Sequence, residues 1–147
     1  MINPQELRIG NRIFNGIVTE IRKDYFIFND GFADWSSKGF ANDTLLPIPI
    51  TPEILDKIEG FFVDDMNYNP DKNNYCMCVY EETYLHIDSK TGVTRIGNYE
   101  HCAHLDDGTV TTTFYIQDTK YLYQLQNLIY SLSGEELTFK TTKHEQK

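Results

Sequence analysis

No apolar run in the 147-residue chain approaches the ~20 residues that a membrane span requires. The opening Met1-Ile2-Asn3-Pro4-Gln5-Glu6 has neither the basic nor the apolar stretch of a secretory signal. Together these absences lead to the expectation of a soluble, cytoplasmic protein. Cysteine is scarce. Cys76, Cys78 and Cys102 are an odd number in a chain without an export signal, which fits reduced thiols and not a disulfide framework. Positive charge is also in short supply, with 13 Lys and Arg against 22 Asp and Glu and a formal net charge of −9. No basic run exceeds Arg22-Lys23. Attraction to phosphate backbones needs clustered Lys and Arg, so this balance argues against direct nucleic-acid binding and suits solubility or a basic protein partner. Gly-rich phosphate loops, internal repeats and low-complexity segments are all missing; Gly97-Asn98 and Gly108 read as turns.

Apolar and aromatic residues are well represented. Hydrophobic residues make up 40% of the chain and aromatics 14%, including ten Tyr and nine Phe, enough to close a core. The length fits one domain or two small, closely packed ones. The order of elements predicts an α+β fold. Leu7–Phe14, Ile17–Ile21 and Tyr25–Phe28 read as short strands, with Asn15-Gly16 as a hairpin turn. Strands so spaced suggest a small SH3-like, barrel-like unit or a plain meander. Ala33 to Asp43 reads as a loop and Leu45–Ile50 as an extended connector. Thr51 caps a short helix of about nine residues with Pro52 at its first position and Gly60 as its stop.

Asp64–Asn74 is polar and reads as a loop. The expected organisation is a β-rich subdomain with a short helix over 1–62, a loop over 63–74, a sheet with a helix over 75–139 and a tail over 140–147. One compact domain is the alternative organisation. Tyr75–Tyr80, Thr83–Ile87, Gly92–Ile96 and Val110–Ile116 are the predicted strands of an antiparallel sheet. Asp118 or Thr119 is expected to cap an amphipathic helix that reaches Ser133. Tyr121, Leu122, Leu125, Leu128, Ile129 and Leu132 form its core-facing arc. Leu137–Phe139 reads as a final strand.

Few residues suggest chemistry. Cys76 and Cys78, two apart on a strand, share a face and could meet His101 and His104 around a metal. Structural zinc sites use other spacings, so half-buried thiols and loop histidines are the plainer alternative. A Cys–His nucleophile lacks an orienting third group. The acidic pairs Asp64-Asp65, Glu81-Glu82, Asp106-Asp107 and Glu135-Glu136 read as solvated turns, and the Asp64–Asp71 stretch lacks the ligand pattern of a calcium loop. No cofactor and no catalytic residue is expected. Beside the helix's core arc lie Tyr123, Gln126, Asn127 and Tyr130, phenols and amides that suit a partner surface. The same groups could instead bond a neighbouring loop. Tyr25, Phe28, Phe32 and Trp35 likewise suit a peptide groove or the core and lid of the N-terminal unit.

Glu6-Leu7-Arg8-Ile9-Gly10-Asn11, Pro47-Ile48-Pro49-Ile50-Thr51 leading to Gly60-Phe61, and Tyr121–Leu128 continuing through Leu132-Ser133-Gly134-Glu135-Glu136-Leu137 carry a resemblance. In their order and spacing they resemble a group of uncharacterised small proteins of bacterial prophages and mobile elements. His often stands in that group where this chain has Tyr123. The resemblance implies no activity and no catalytic residues. It does imply a host-directed accessory protein. The expected function is therefore non-enzymatic binding of a protein partner, with Tyr123, Gln126, Asn127, Tyr130 and Trp35 as contact residues. An acidic nucleic-acid mimic is one alternative, and a Cys/His metal protein or enzyme is the other.

Overall fold

The computed structural model describes residues 2–40, 44–63, 74–81, 83–98 and 113–140. The architecture is α+β. An antiparallel sheet in the order β1-β2-β3-β4 comprises Arg12–Ile13, Gly16–Ile21, Phe26–Asn29 and Asp34–Ser36. Helix α1 (Pro52–Asp56) follows. A second antiparallel sheet runs β5-β6-β7-β8-β9 through Phe62–Val63, Asn74–Tyr80, Thr83–Asp88, Val93–Asn98 and Thr113–Asp118. Helix α2 (Leu122–Ser133) comes last. Both sheets are meanders, and among the described residues no pairing closes the first into a barrel.

The period-2 alternation of the N-terminal strands sends Val18, Phe26 and Phe28 inward. Val18 pairs with Phe28, and Phe28 with Trp35 on β4. Ile2, Leu7, Ile13 and Leu45 complete this core. Two expectations need correction. Ile13 pairs with Gly16, so the hairpin turn is Phe14-Asn15, one residue earlier than expected. The reason lies at Gly16: a Cβ there would sit 2.2 Å from the Asn29 carbonyl oxygen, so this position is reserved for close packing against β3. The expected loop after Ala33 contains β4 and a 3₁₀ turn over Ser37–Gly39. Asp34-Trp35-Ser36 is too short and too polar for alternation to mark it.

The connector is extended as expected, with bridges from Pro47 to Ile13 and from Pro49 to Tyr121. Thr51 caps α1, its Oγ1 accepting the Ile54 N–H at 3.2 Å. The helix is five residues long instead of about nine, because Lys57, Ile58 and Glu59 engage another segment. Glu59 N donates to the Thr138 carbonyl at 2.8 Å and Lys140 N to the Lys57 carbonyl at 2.7 Å. The predicted strand at Leu137–Phe139 is this short pairing, with Phe139 bridging Ile58.

On β6, Tyr75, Met77 and Val79 face α2 and join Leu85, Ile87, Leu122, Leu125 and Ile129 in the larger core. Each such side chain contributes about 1.5–3 kcal/mol on burial. Helix α2 begins two to three residues later than a cap at Thr119 or Asp118 would start it, its N-cap being Tyr121. Asp118 still belongs to β9, and the buried Thr119 hydroxyl accepts from Thr94 at 2.8 Å. Backbone groups at 119–122 are taken by Gly92, Ile50 and Ile48. Gln124 instead caps the helix, its Oε1 accepting from Lys120 N at 2.9 Å and Tyr121 N at 3.1 Å. Gly134, left-handed at φ 76°, ends it. No helix among the described residues is long and apolar enough to cross a membrane.

Candidate functional site

Of the residues expected to meet a partner, four lie on α2. The structure places the chain's own residues 6–12 over them. Gln126 is buried; its Oε1 accepts from Arg12 N at 2.8 Å and its Nε2 donates to the Gly10 carbonyl at 3.3 Å. Asn127 Nδ2 donates to the Glu6 carbonyl at 2.9 Å, and its Oδ1 accepts from Asn11 Nδ2 at 2.9 Å. Tyr123 is buried in the N-terminal core, and its hydroxyl donates to Glu6 Oε2 at 3.1 Å. Burial, with that hydrogen bond second, pushes the Tyr123 phenol up to about 12. Tyr130 lies under Arg8, whose guanidinium carbon is 4.1 Å from the ring centroid. The expectation of an open partner face at Tyr123, Gln126 and Asn127 is corrected: amides and phenol are satisfied internally, as buried polar groups must be.

Asn11 and Arg8, not singled out from the sequence, complete this clasp together with Glu136, which was expected only as part of a solvated acidic turn. Asn11 is fully buried, and its Oδ1 accepts the Arg8 N–H at 2.7 Å. Arg8 forms a two-pronged ion pair with Glu136, the Nη2–Oε2 distance being 2.9 Å. This pairing holds the Glu136 carboxyl below the usual range. Only the spacing of the Glu6–Asn11, Tyr121–Leu128 and Leu132–Leu137 stretches pointed to these residues. Those stretches meet here and join the two sheets.

Exposed apolar side chains gather elsewhere. The Phe14-Asn15 turn and the 30–33 turn lie at the same end of the first sheet, since Ile17 pairs with both Arg12 and Asn29. Phe32 is 96% exposed at one tip and Phe14 64% at the other. Leu46, also exposed, adjoins Phe14 through a backbone hydrogen bond of 3.1 Å. The Phe32 tip is built by Asp30. Its Oδ1 accepts from Phe32 N at 2.8 Å and Ala33 N at 2.9 Å, and its Oδ2 accepts the Trp35 indole N–H at 2.9 Å. These donors, with Ala33 first, hold the Asp30 carboxyl below its usual range. Trp35 is 45% exposed and packs edge-on against Phe40, 6.1 Å between centroids. Phe28 lies beneath in the core, and Tyr25 carries Lys38 over its ring at 4.2 Å. Thus Tyr25, Phe28, Phe32 and Trp35 do not line one groove. On β9, Phe114 and Tyr115 are also exposed, on opposite faces of the strand.

Cys76 and Cys78 share the face of β6 turned from α2, but they part company there. Cys76 is buried with its Sγ 3.1 Å from His86 Nδ1, and Cys78 is exposed with its Sγ donating to the Glu81 carbonyl at 2.9 Å. His101 and His104 lie outside the described residues, as do Cys102, Asp64-Asp65, Asp71, Glu82 and Asp106-Asp107. Among the described residues no group of three or more His, Cys, Asp or Glu could hold a metal. Comparison with protein-family models, curated proteins and solved structures gave no match.

Proposed function

We propose that the chain is a non-enzymatic, cytoplasmic accessory factor of phage or mobile-element origin that binds a protein through the hairpin end of its first sheet. The observation that supports this reading is Phe32, 96% exposed on a turn whose backbone is fixed by the Asp30 carboxylate. A fully exposed Phe gains about 1.5–3 kcal/mol on burial, and a turn ordered in advance spends little entropy on docking. Phe14 and Leu46 widen the apolar area, and Trp35 borders it. Asp30 and Asp34 surround it with negative charge, which favours a partner carrying basic side chains around an apolar cleft. The SH3-like character expected of this sheet belongs to the same proposal: an extended partner segment would lie along Trp35 and the β4 edge.

The test is affinity capture from cells that make the protein, using the native chain and a Phe14→Ala/Phe32→Ala variant of equal melting temperature. The native chain should retain one saturable partner, and the variant should bind it at least about tenfold more weakly. Equal retention by both chains would remove this surface from the reading.

A further inference from the structure

A sheet edge leaves one row of backbone donors and acceptors open to a further strand, and folded proteins blunt such edges by shortness, charge or proline. Three of the four sheet edges here are short. Strands β1 and β5 have two residues each, and β4 has three, with Asp34 among them. The fourth edge is β9, six residues long. Its backbone pairs with β8 on one side, and among the described residues no strand pairs with the other.

Nor does the sequence of β9 guard it. Thr113-Phe114-Tyr115-Ile116-Gln117 carries no charge and no proline, and Asp118 stands at the very end. Phe114, Tyr115 and Ile116 are all exposed. Aromatic and β-branched residues are the ones that cross-strand pairs favour. The one irregularity is a bulge at Ile116. Before it, Thr113, Phe114 and Tyr115 pair in unbroken register with Gly97, Ile96 and Arg95.

We infer that β9 is the interface of a homodimer, in which a second copy adds its own β9 antiparallel across a twofold axis and joins the two larger sheets into one. An antiparallel edge is complementary to itself, since the same edge turned by a twofold axis supplies the donors and acceptors it needs. Charge selects the same occupant. Two copies of net charge −9 repel over most of their surfaces, whereas the uncharged stretch of β9 lets them approach. With the axis anywhere from Phe114 to Ile116, the two Asp118 residues sit at opposite ends of the pairing. At ~3.4 Å per residue they are at least ~14 Å apart, beyond the ~8 Å over which salt leaves charges in touch. A basic partner would find nothing to pair with on this stretch. One pair of six-residue strands is a contact at the small end of specific interfaces, below ~1,200 Å² in total, so the dimer forms reversibly.

Analytical ultracentrifugation from micromolar to millimolar chain, with amide NMR over the same range, tests the inference. The mean mass should rise from 17.1 kDa towards twice that value and stop there. Concentration-dependent amide shifts should concentrate on Thr113–Asp118. Added salt should tighten the dimer by screening two like-charged copies from each other. The Phe114→Lys/Ile116→Lys variant puts on the edge the cations that guard natural edges, and should weaken association at least about tenfold with the melting temperature maintained. Should the double variant melt early, Phe114→Lys alone, at the more exposed of the two positions, carries the same test. A constant mass of 17.1 kDa, a dimer that the lysines leave intact, shifts confined to other strands, or growth beyond two copies would each overturn the inference. A different protein held at β9 while the chain itself stays monomeric would also overturn it, and would assign the edge to that partner.

Discussion

Against β6 and β7, helix α2 lays down Leu122, Leu125 and Ile129; against the first sheet it offers a phenol and two amides. One contact is apolar and nondirectional, and its strength scales with area. The other is a set of directed hydrogen bonds in which each buried group depends on one named partner. Apolar packing tolerates changes of shape if volume is kept. The amide clasp tolerates little, because removing one member strands another. The same helix therefore anchors one sheet by bulk and positions the other by register.

The largest effect should come from Leu125→Ala, fully buried in the larger core, at about 2–5 kcal/mol. Because α2 serves both sheets, thermal unfolding followed at Trp35 and by far-UV circular dichroism should shift together. Separate shifts would show that the sheets melt independently. Asn11→Ala removes the partners of Arg8 N and Asn127 Oδ1 and should cost about 1–3 kcal/mol. Hydrogen exchange should quicken in β1–β4 more than in β6–β9; uniform quickening would erase the contrast between clasp and core.

Tyr123→Phe should cost less, about 0.5–1.5 kcal/mol near neutrality. Its sharper signature is at high pH. The phenol's native value lies above its ordinary 10.0, at about 12, so its stabilising effect is complete below pH 10 and lost as pH rises towards 12. The variant should lack that alkaline loss in denaturant titrations. Glu136→Gln should have the smallest effect, under about 1 kcal/mol, since the Arg8 pair is half-exposed. Glu136 is held below its usual value, so its contribution is present above the ordinary carboxylate range and lost as pH falls through the lowered one. Acid unfolding of the variant should show a shallower decline; an unchanged profile would leave the ion pair without a role.

Much of the α+β outline was legible in local pattern. Val18, Phe26 and Phe28 alternate, Thr51-Pro52 caps a helix, and Leu122, Leu125 and Ile129 recur at helical spacing. The errors have non-local causes. Gly16 answers to Asn29, the early end of α1 to Thr138 and Lys140, and the late start of α2 to Ile48 and Ile50. The misread face on α2 has the same origin. Tyr123, Gln126 and Asn127 look like surface groups on a helical wheel, and only the distant Glu6–Arg12 segment makes them interior. Phe32 and Trp35 were visible as aromatics, but their exposure depends on how Asp30 shapes the turn.

The clasp also bears on the order in which the chain can fold. Arg8 and Glu136 are 128 residues apart in sequence, and Glu6 and Asn127 are 121 apart. Contacts of that separation form after local ones, because a long loop must close first. On the ribosome, β1–β4 would be made long before the helix that supplies Tyr123 to their core. At synthesis rates of roughly 5–20 residues per second, that sheet waits several seconds with Phe26, Phe28 and Val18 incompletely covered, a window for chaperone capture.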